Sequence, residues 1–125
     1  MDQSKHDAGM AVRRSVLGGA YVDGSRKAPG QFGAALQELI TENVWGTVWV
    51  REGLDRKTRS LLNIAMMAAI NHAGELRLHV EGAVNNGCTP QEIEEVLLQV
   101  AAYCGAPAAL SAFHVADAVL EELEG

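Results

Sequence analysis

The stretch Thr89-Pro-Gln-Glu-Ile-Glu-Glu-Val-Leu-Leu-Gln-Val-Ala-Ala-Tyr-Cys-Gly105 contains the clearest fold signal in the chain. Thr89 suits a helix N-cap, Pro90 suits the first helical position, and Glu92 completes a capping box. Apolar residues then recur at the spacing of one helix face until Gly105-Ala-Pro107 interrupts the pattern. The stretch therefore predicts an amphipathic helix with a buried stripe of Ile93, Val96, Leu97, Val100, Ala101 and Cys104.

Helical patterns continue on both sides of this stretch. Upstream, Gly74 to Asn86 reads as a helix capped by Asn-Gly87, and Asp55 is a plausible N-cap for a helix from Arg56 to Ile70. Downstream, Ala108 to Leu123 forms the last predicted helix. Its core candidates are Leu110, Phe113, Val115, Ala116, Val119 and Leu120.

The N-terminal part of the chain is predicted to add two further helices. Asp7 to Leu17 ends at Gly18-Gly19, with Met10, Val12, Val16 and Leu17 as its apolar anchors, and Phe32 to Glu42 has apolar residues at helical spacing. Between them, Val22 to Gly30 is rich in turn residues and is predicted to be a linker. No segment alternates like a strand, so the sequence predicts an all-α fold of about six helices.

Length and composition limit the class of protein. A chain of 125 residues with 48% hydrophobic content predicts one domain over residues 1–125 with a real core. The net charge of −6 argues against a binder of nucleic acid backbones. The polar N-terminus, the lack of a long apolar run, and two unclustered cysteines, Cys88 and Cys104, favour a reduced, cytoplasmic protein without membrane association.

The helix from Arg56 to Ile70 has an unusual composition. Its first turn is basic, but from Leu61 to Ile70 only Asn63 is polar. A helix that is apolar all round is buried on all sides. In so short a chain, this helix is expected either to be central or to be covered by another subunit of a homo-oligomer.

The leading candidate for chemistry is the pair Glu75 and His79. Residues four apart share one face of a helix, so a carboxylate and an imidazole point the same way, flanked by Leu76 and Leu78. Such a histidine can move protons near neutral pH. The alternative is a helix-stabilising pair worth about 0.3 kcal/mol. The histidines are too scattered to predict a metal site.

Short motifs follow one another along most of the chain. The main motifs are Trp45-Gly46, Arg51-Glu-Gly-Leu54, Thr58-Arg-Ser60, Gly74-Glu-Leu76 with His79, Asn85-Asn-Gly87, Glu92-Ile93, Glu95-Val-Leu97, Tyr103-Cys-Gly105, Pro107-Ala108 and Ala112-Phe113. Each motif is short, but their order and spacing together are specific, and they resemble the carboxymuconolactone decarboxylase family. With Asp7-Ala-Gly-Met10, Val12-Arg-Arg14 and Val16-Leu-Gly18, the start of the chain also resembles family members of protocatechuate breakdown.

The resemblance implies an alkylhydroperoxidase-like helical fold, closed oligomeric rings, often trimers or hexamers, and a reaction. That reaction is the decarboxylation of 4-carboxymuconolactone to the β-ketoadipate enol-lactone in aromatic catabolism, with no metal or other cofactor. Peroxidase relatives of this fold carry Cys-x-x-Cys-x-x-x-His. With that histidine aligned on His79, the two cysteine positions hold His72 and Glu75. The chain therefore lacks the thiol pair of that chemistry.

The implied reaction assigns roles to further residues. Arg59, followed by Arg51, is expected to bind a substrate carboxylate, because a guanidinium matches it in shape and charge. His79 is expected to stabilise the oxyanion or supply the proton, and Glu75 to orient His79 or supply the proton itself. Trp45, Tyr103 and Asn85 are candidate pocket residues, with a packing role for Trp45 and Tyr103 and a helix-end role for Asn85 as the alternatives.

Two rival functions stay open from the sequence. The first is an enzyme of the same fold that acts on another lactone, or an oxidant-defence protein without the cysteine pair. The second is a non-catalytic helical scaffold. A scaffold would not need the imidazole of His79, so replacing that residue separates the two classes.

Overall fold

A computed structural model describes residues 2–25 and 32–124, and this part of the chain is helical without strands. The all-α prediction is therefore confirmed, although the described residues form seven α-helices and one π-helical segment rather than about six helices. The helices are α1 (Gln3–Leu17), α2 (Gly19–Ser25), α3 (Ala34–Ile40), the π-helix (Thr41–Val48), α4 (Arg56–Ala69), α5 (Ala73–Asn85), α6 (Pro90–Cys104) and α7 (Ala106–Glu124).

The strongest sequence signal, at the start of α6, is confirmed in detail. The Thr89 hydroxyl accepts from the Glu92 N–H at 3.1 Å, and the Glu92 carboxylate accepts from the Thr89 N–H at 2.9 Å. The predicted end of α5 is also present, because Gly87 adopts a φ of +90° that favours glycine. Local capping chemistry thus sets these two boundaries.

The N-terminal predictions need three corrections. Helix α1 begins a turn before Asp7, because the Asp2 carboxylate caps it by accepting from the N–H groups of Ser4 and Lys5. The predicted linker is helical from Val22 to Ser25, within α2, and its remainder lies outside the described residues. The helix predicted to end at Glu42 instead continues as a π-helix through Trp45.

Two compact units make up the chain, Met1–Asp55 and Arg56–Gly125. The prediction of a single domain stays a prediction. In the first unit, α1 lies against the π-helix so closely that a Cβ on Gly9 would stand 2.2 Å from the Thr41 carbonyl oxygen. The buried Arg13 guanidinium donates to the Thr41 hydroxyl at 3.1 Å and to the Gln37 side chain at 2.9 Å.

In the second unit, α4 to α7 enclose one apolar core. Ile64 and Ala68 of α4 are buried, whereas Leu62, Met66 and Ile70 are 46%, 51% and 60% exposed. The first of the two expectations for α4, a central position in the chain's own fold, is therefore wrong for this chain by itself. The α4 apolar face, defined as Leu62, Met66 and Ile70, is open to solvent.

Three residues predicted to lie in the core of the later helices are exposed instead. Helix α7 buries Ala109, Ala112, Ala116 and Val119, while Leu110 and Phe113 are largely exposed. Small alanine side chains let helices approach closely, which turns the larger neighbouring side chains outward. In α6, Ile93, Leu97 and Val100 are buried as predicted, but Cys104, the last residue of the helix, is exposed.

Among the described residues, no helix combines the length and the apolar character that crossing a membrane requires.

Candidate active site

His79 lies on α5 at the edge of the helix face that enters the core. Leu76, Val80 and Ala83 of the same helix are buried almost completely and pack into the core cluster. His79 is itself only 8% exposed. An imidazole of low exposure at the margin of a core can still meet a small molecule while water is largely excluded.

Two polar side chains approach the two ring nitrogens of His79. The amide nitrogen of Asn63, on α4, lies 3.4 Å from His79 Nδ1. A carboxylate oxygen of Glu75 lies 3.9 Å from His79 Nε2, which is too long for a hydrogen bond. The sequence-predicted pair therefore shares a face of α5, as expected, but its members interact through charge rather than through a direct bond.

Burial lowers the pKa of His79 below its ordinary value of 6.5. The charge of Glu75 acts in the opposite direction, because a nearby carboxylate favours the imidazolium, but desolvation is the larger cause. Near neutral pH the ring is therefore the neutral imidazole, with one N–H and one lone pair. In this form it can donate a hydrogen bond to a developing oxyanion at one nitrogen and accept at the other.

Arg59 lies on α4 four residues before Asn63, so both occupy the same face of that helix. Its side chain is partly buried. Since Asn63 contacts His79, this helix register places Arg59 on the side of α4 that carries the His79 contact. A guanidinium there would attract a substrate carboxylate towards the imidazole.

Asn85 and Tyr103 are exposed, whereas His79 is buried. Asn85 is the exposed last residue of α5, and its neighbour Asn86 has the structural role, donating to the Ser60 hydroxyl at 2.9 Å. Tyr103 is 82% exposed on α6. It borders a groove of about 320 Å³ between α4 and α6, lined by Ala65, Met66, Ala69, Gln99, Val100, Tyr103 and Cys104.

Trp45 and Arg51 belong to the unit Met1–Asp55. Trp45 is 4% exposed and stacks on Trp49, with ring centroids 4.8 Å apart. This placement accords with the packing alternative for Trp45. Arg51 is exposed, just beyond the π-helix, and its backbone N–H donates to the Val48 carbonyl.

Asn63 is the site residue that the sequence did not assign. The only signal was its isolation as the one polar residue between Leu61 and Ile70. The contact of Asn63 with His79 depends on how α4 packs against α5. The periodicity of apolar residues within either helix does not predict that packing. Residues 2–25 and 32–124 contain no group of three or more His, Cys, Asp or Glu side chains that could hold a metal ion.

Comparison with known proteins places this site within a known family. The sequence model of the carboxymuconolactone decarboxylase family matches residues 34–118, which include Arg59, Asn63, Glu75 and His79. The chain belongs to the carboxymuconolactone decarboxylase family. The resemblance stated from the motifs is thereby confirmed.

Two relatives in this family cover nearly the whole chain. Nitrosuccinic acid decarboxylase npaB of Metarhizium robertsii is 44% identical over 117 residues, which are 94% of this chain and 82% of the relative. The 4-carboxymuconolactone decarboxylase of Acinetobacter baylyi is 38% identical over 122 residues, which are 98% of this chain and 91% of the relative. Both relatives are named as decarboxylases, and their names give two different substrates.

Proposed function

We propose that this protein is a cofactor-independent decarboxylase of a small dicarboxylate, with 4-carboxymuconolactone as the substrate. The observation that carries the proposal is the buried imidazole of His79, which has Asn63 at one nitrogen and the Glu75 carboxylate near the other. Burial lowers the pKa of this ring, which favours its neutral form. Membership of the carboxymuconolactone decarboxylase family supports the reaction type.

The substrate supplies its own electron sink. Carbon dioxide leaves from the ring carbon next to the ring oxygen, and the electron pair of the broken bond passes through the ring double bond to the lactone carbonyl. A proton is then added to the ring carbon next to that carbonyl, which gives the enol-lactone. The protein must therefore bind carboxylates, stabilise a developing oxyanion and deliver one proton.

The described residues can divide these tasks. Arg59 binds a carboxylate of the substrate, because its fork of N–H donors matches that group. The N–H of neutral His79 donates to the lactone oxyanion, an interaction worth about 3–4 kcal/mol when the donor is well placed. The proton comes from His79, or from Glu75 in its protonated form, whose side chain is 56% exposed and therefore exchanges protons with water.

Decarboxylation of nitrosuccinate is the second candidate, and the relative from Metarhizium robertsii favours it. The chemistry has the same form. The electron pair released with carbon dioxide moves onto the nitro group, and the resulting nitronate takes a proton on carbon. A site that binds a dicarboxylate, donates to an oxyanion and delivers a proton serves both reactions.

Carbon dioxide release from each substrate tests the proposal. The purified protein is given freshly generated 4-carboxymuconolactone or nitrosuccinate in the presence of EDTA, and kcat/KM is compared. We expect turnover of 4-carboxymuconolactone with the larger kcat/KM. A larger value for nitrosuccinate replaces the substrate but keeps the reaction type. If the protein is folded but inactive on both substrates, the proposal fails. The remaining functions are then an enzyme of the same fold with another substrate or a non-catalytic scaffold.

Self-association and a cytoplasmic location are part of the proposal. The exposed α4 apolar face, Leu62, Met66 and Ile70, supports association, because solvent-exposed aliphatic side chains in a cluster are typical of contact surfaces. Light scattering coupled to size-exclusion chromatography measures the subunit number. A monomer at micromolar concentration would contradict the proposed self-association but not the proposed reaction.

A further inference from the structure

The contact between Asn63 and His79 is a side-chain link between α4 and α5. A second link joins the Asn86 amide, just beyond the end of α5, to the Ser60 hydroxyl of α4 at 2.9 Å. Ser60 is fully buried and Asn86 is partly buried. Because a hydroxyl and an amide do not change charge near neutral pH, this second link does not depend on protonation. The first link, in contrast, ends on Nδ1 of His79. The single ring hydrogen of a neutral imidazole can lie either on Nδ1 or on Nε2. Only the first of these two links can therefore influence the tautomer of His79.

The surroundings of His79 are asymmetric. A carboxylate group only accepts hydrogen bonds when ionised, so the Glu75 oxygen 3.9 Å from Nε2 favours a hydrogen on that nitrogen. The remaining nitrogen, Nδ1, then has a lone pair, and the Asn63 amide nitrogen 3.4 Å away is a donor to it. Both neighbours thus favour the same arrangement of the neutral ring.

We propose that Asn63 is a positioning residue that holds His79 in the tautomer with the hydrogen on Nε2. In this tautomer the ring N–H points to the side of α5 that carries Glu75, where a substrate oxyanion would meet it. The opposite tautomer would present a lone pair to the oxyanion and repel it. The inference deepens the proposed decarboxylase function and rests on it for its catalytic consequence, but the tautomer itself does not depend on any substrate.

Nitrogen NMR of the ring reads the tautomer directly. Protein labelled with ¹⁵N is measured at a pH where the ring is neutral, and the Nδ1 and Nε2 shifts show which nitrogen carries the hydrogen. We expect hydrogen on Nε2 in the wild type. Asn63→Leu, similar in shape but without a donor, leaves only Glu75 to favour Nε2 and should lower the share of that tautomer. Asn63→Asp, with an acceptor in place of the donor, should raise the share of rings with hydrogen on Nδ1 further.

Ser60→Ala is the matched control, because it removes the other α4–α5 link and leaves the ring neighbours unchanged. Its His79 shifts should equal those of the wild type. In the decarboxylation assay, Asn63→Asp should lower kcat by about 10- to 100-fold, as is common when a partner that orients a functional histidine is lost. The KM should change little, and Ser60→Ala should keep wild-type kcat.

The outcomes separate this inference from the proposed function. Hydrogen on Nδ1 in the wild type, or an unchanged tautomer in Asn63→Asp, would overturn the role of Asn63 even if carbon dioxide is released. The predicted tautomers in a protein that decarboxylates neither substrate would uphold the positioning role and overturn the function. If Asn63→Leu unfolds, Asn63→Asp, which keeps a polar group of the same shape, still decides the result.

Discussion

Two helix contacts in this protein are built in opposite ways. The α1–π contact, defined by Gly9, Arg13, Thr41 and Gly46, joins backbones so closely that a Cβ on Gly46 would stand 2.2 Å from the Lys5 carbonyl oxygen. The buried Arg13 guanidinium in this contact donates hydrogen bonds of 3.1 Å and 2.9 Å to the neutral side chains of Thr41 and Gln37. The α4–α5 contact at His79, in contrast, has separations of 3.4 Å and 3.9 Å around a buried titratable ring.

The difference predicts which contact serves stability and which serves the proposed chemistry. Close backbone packing, around a guanidinium whose two terminal nitrogens are hydrogen-bonded, leaves little room for a ligand. A buried imidazole with one long contact and one unbonded carboxylate nearby retains hydrogen-bonding capacity for a ligand. Substitutions in the α1–π contact should therefore change stability first, and those in the α4–α5 contact should change activity first.

The largest expected effect is on catalysis, from His79→Leu. Leucine fills a similar volume at this buried position but has no N–H to donate, so kcat should fall by about 10²- to 10³-fold, as when one oxyanion donor is removed. Carbon dioxide release gives kcat, and circular dichroism at 222 nm checks that the helices remain. Unchanged kcat in a folded variant would show that the α4–α5 contact is structural too.

The next largest effect is on stability, from Gly9→Ala. The added Cβ would overlap the Thr41 carbonyl oxygen and the Gly46 backbone, so the helices must separate. Overpacking of this kind costs about 1–3 kcal/mol, which urea unfolding measures. Gly24→Ala is the control in the same unit, since its Cβ meets nothing within 4 Å, and it should stabilise by about 0.5–1 kcal/mol. Equal effects of the two changes would contradict the close packing.

A smaller effect concerns the pH dependence of stability. Because burial lowers the pKa of folded His79 below 6.5, the unfolded chain binds more protons at pH values between the two pKa values. The stability linked to His79 is therefore complete above the unfolded pKa and is lost as pH falls through the folded pKa. Urea unfolding from about pH 7.5 to about pH 5 should show a steeper loss for the wild type than for His79→Gln. Parallel curves would mean that His79 is not desolvated.

The smallest effect comes from Glu75→Gln. The charge of Glu75 raises the pKa of His79, so its removal should lower that pKa further, as an NMR titration of the ring measures. Glu81→Gln serves as the control, because residue 81 lies on a different face of α5 from His79. A pKa that rises in Glu75→Gln, or that shifts equally in both variants, would remove Glu75 from the site.

Much of the fold followed from local patterns in the sequence. The capping box at Thr89 and the glycine at position 87 set helix boundaries within a residue of those predicted. The N-terminal region was predicted less well, because the π-helix and the length of α1 depend on how they pack together. Leu110 and Phe113 were assigned to the core by periodicity, which does not show that alanines form the buried face.

The candidate site was predicted in the same uneven way. Glu75 and His79 were found because residues four apart on one helix share a face whatever surrounds them. Asn63 was visible only as an isolated polar residue, since its contact with His79 joins two helices. Asn85 and Tyr103 were selected from motifs, and the role of each in binding stays a prediction to be tested by substitution.

The amino-acid sequence by itself determined the helical class, the helix boundaries at Thr89 and Gly87, the family and the Glu75–His79 pair, because each depends on short-range spacing or on ordered motifs. Only the tertiary structure decided which helix faces are buried, that Asn63 meets His79, and that burial lowers the pKa of the imidazole. These properties arise from desolvation and from contacts between segments distant in the chain, and both exist only when the helices pack.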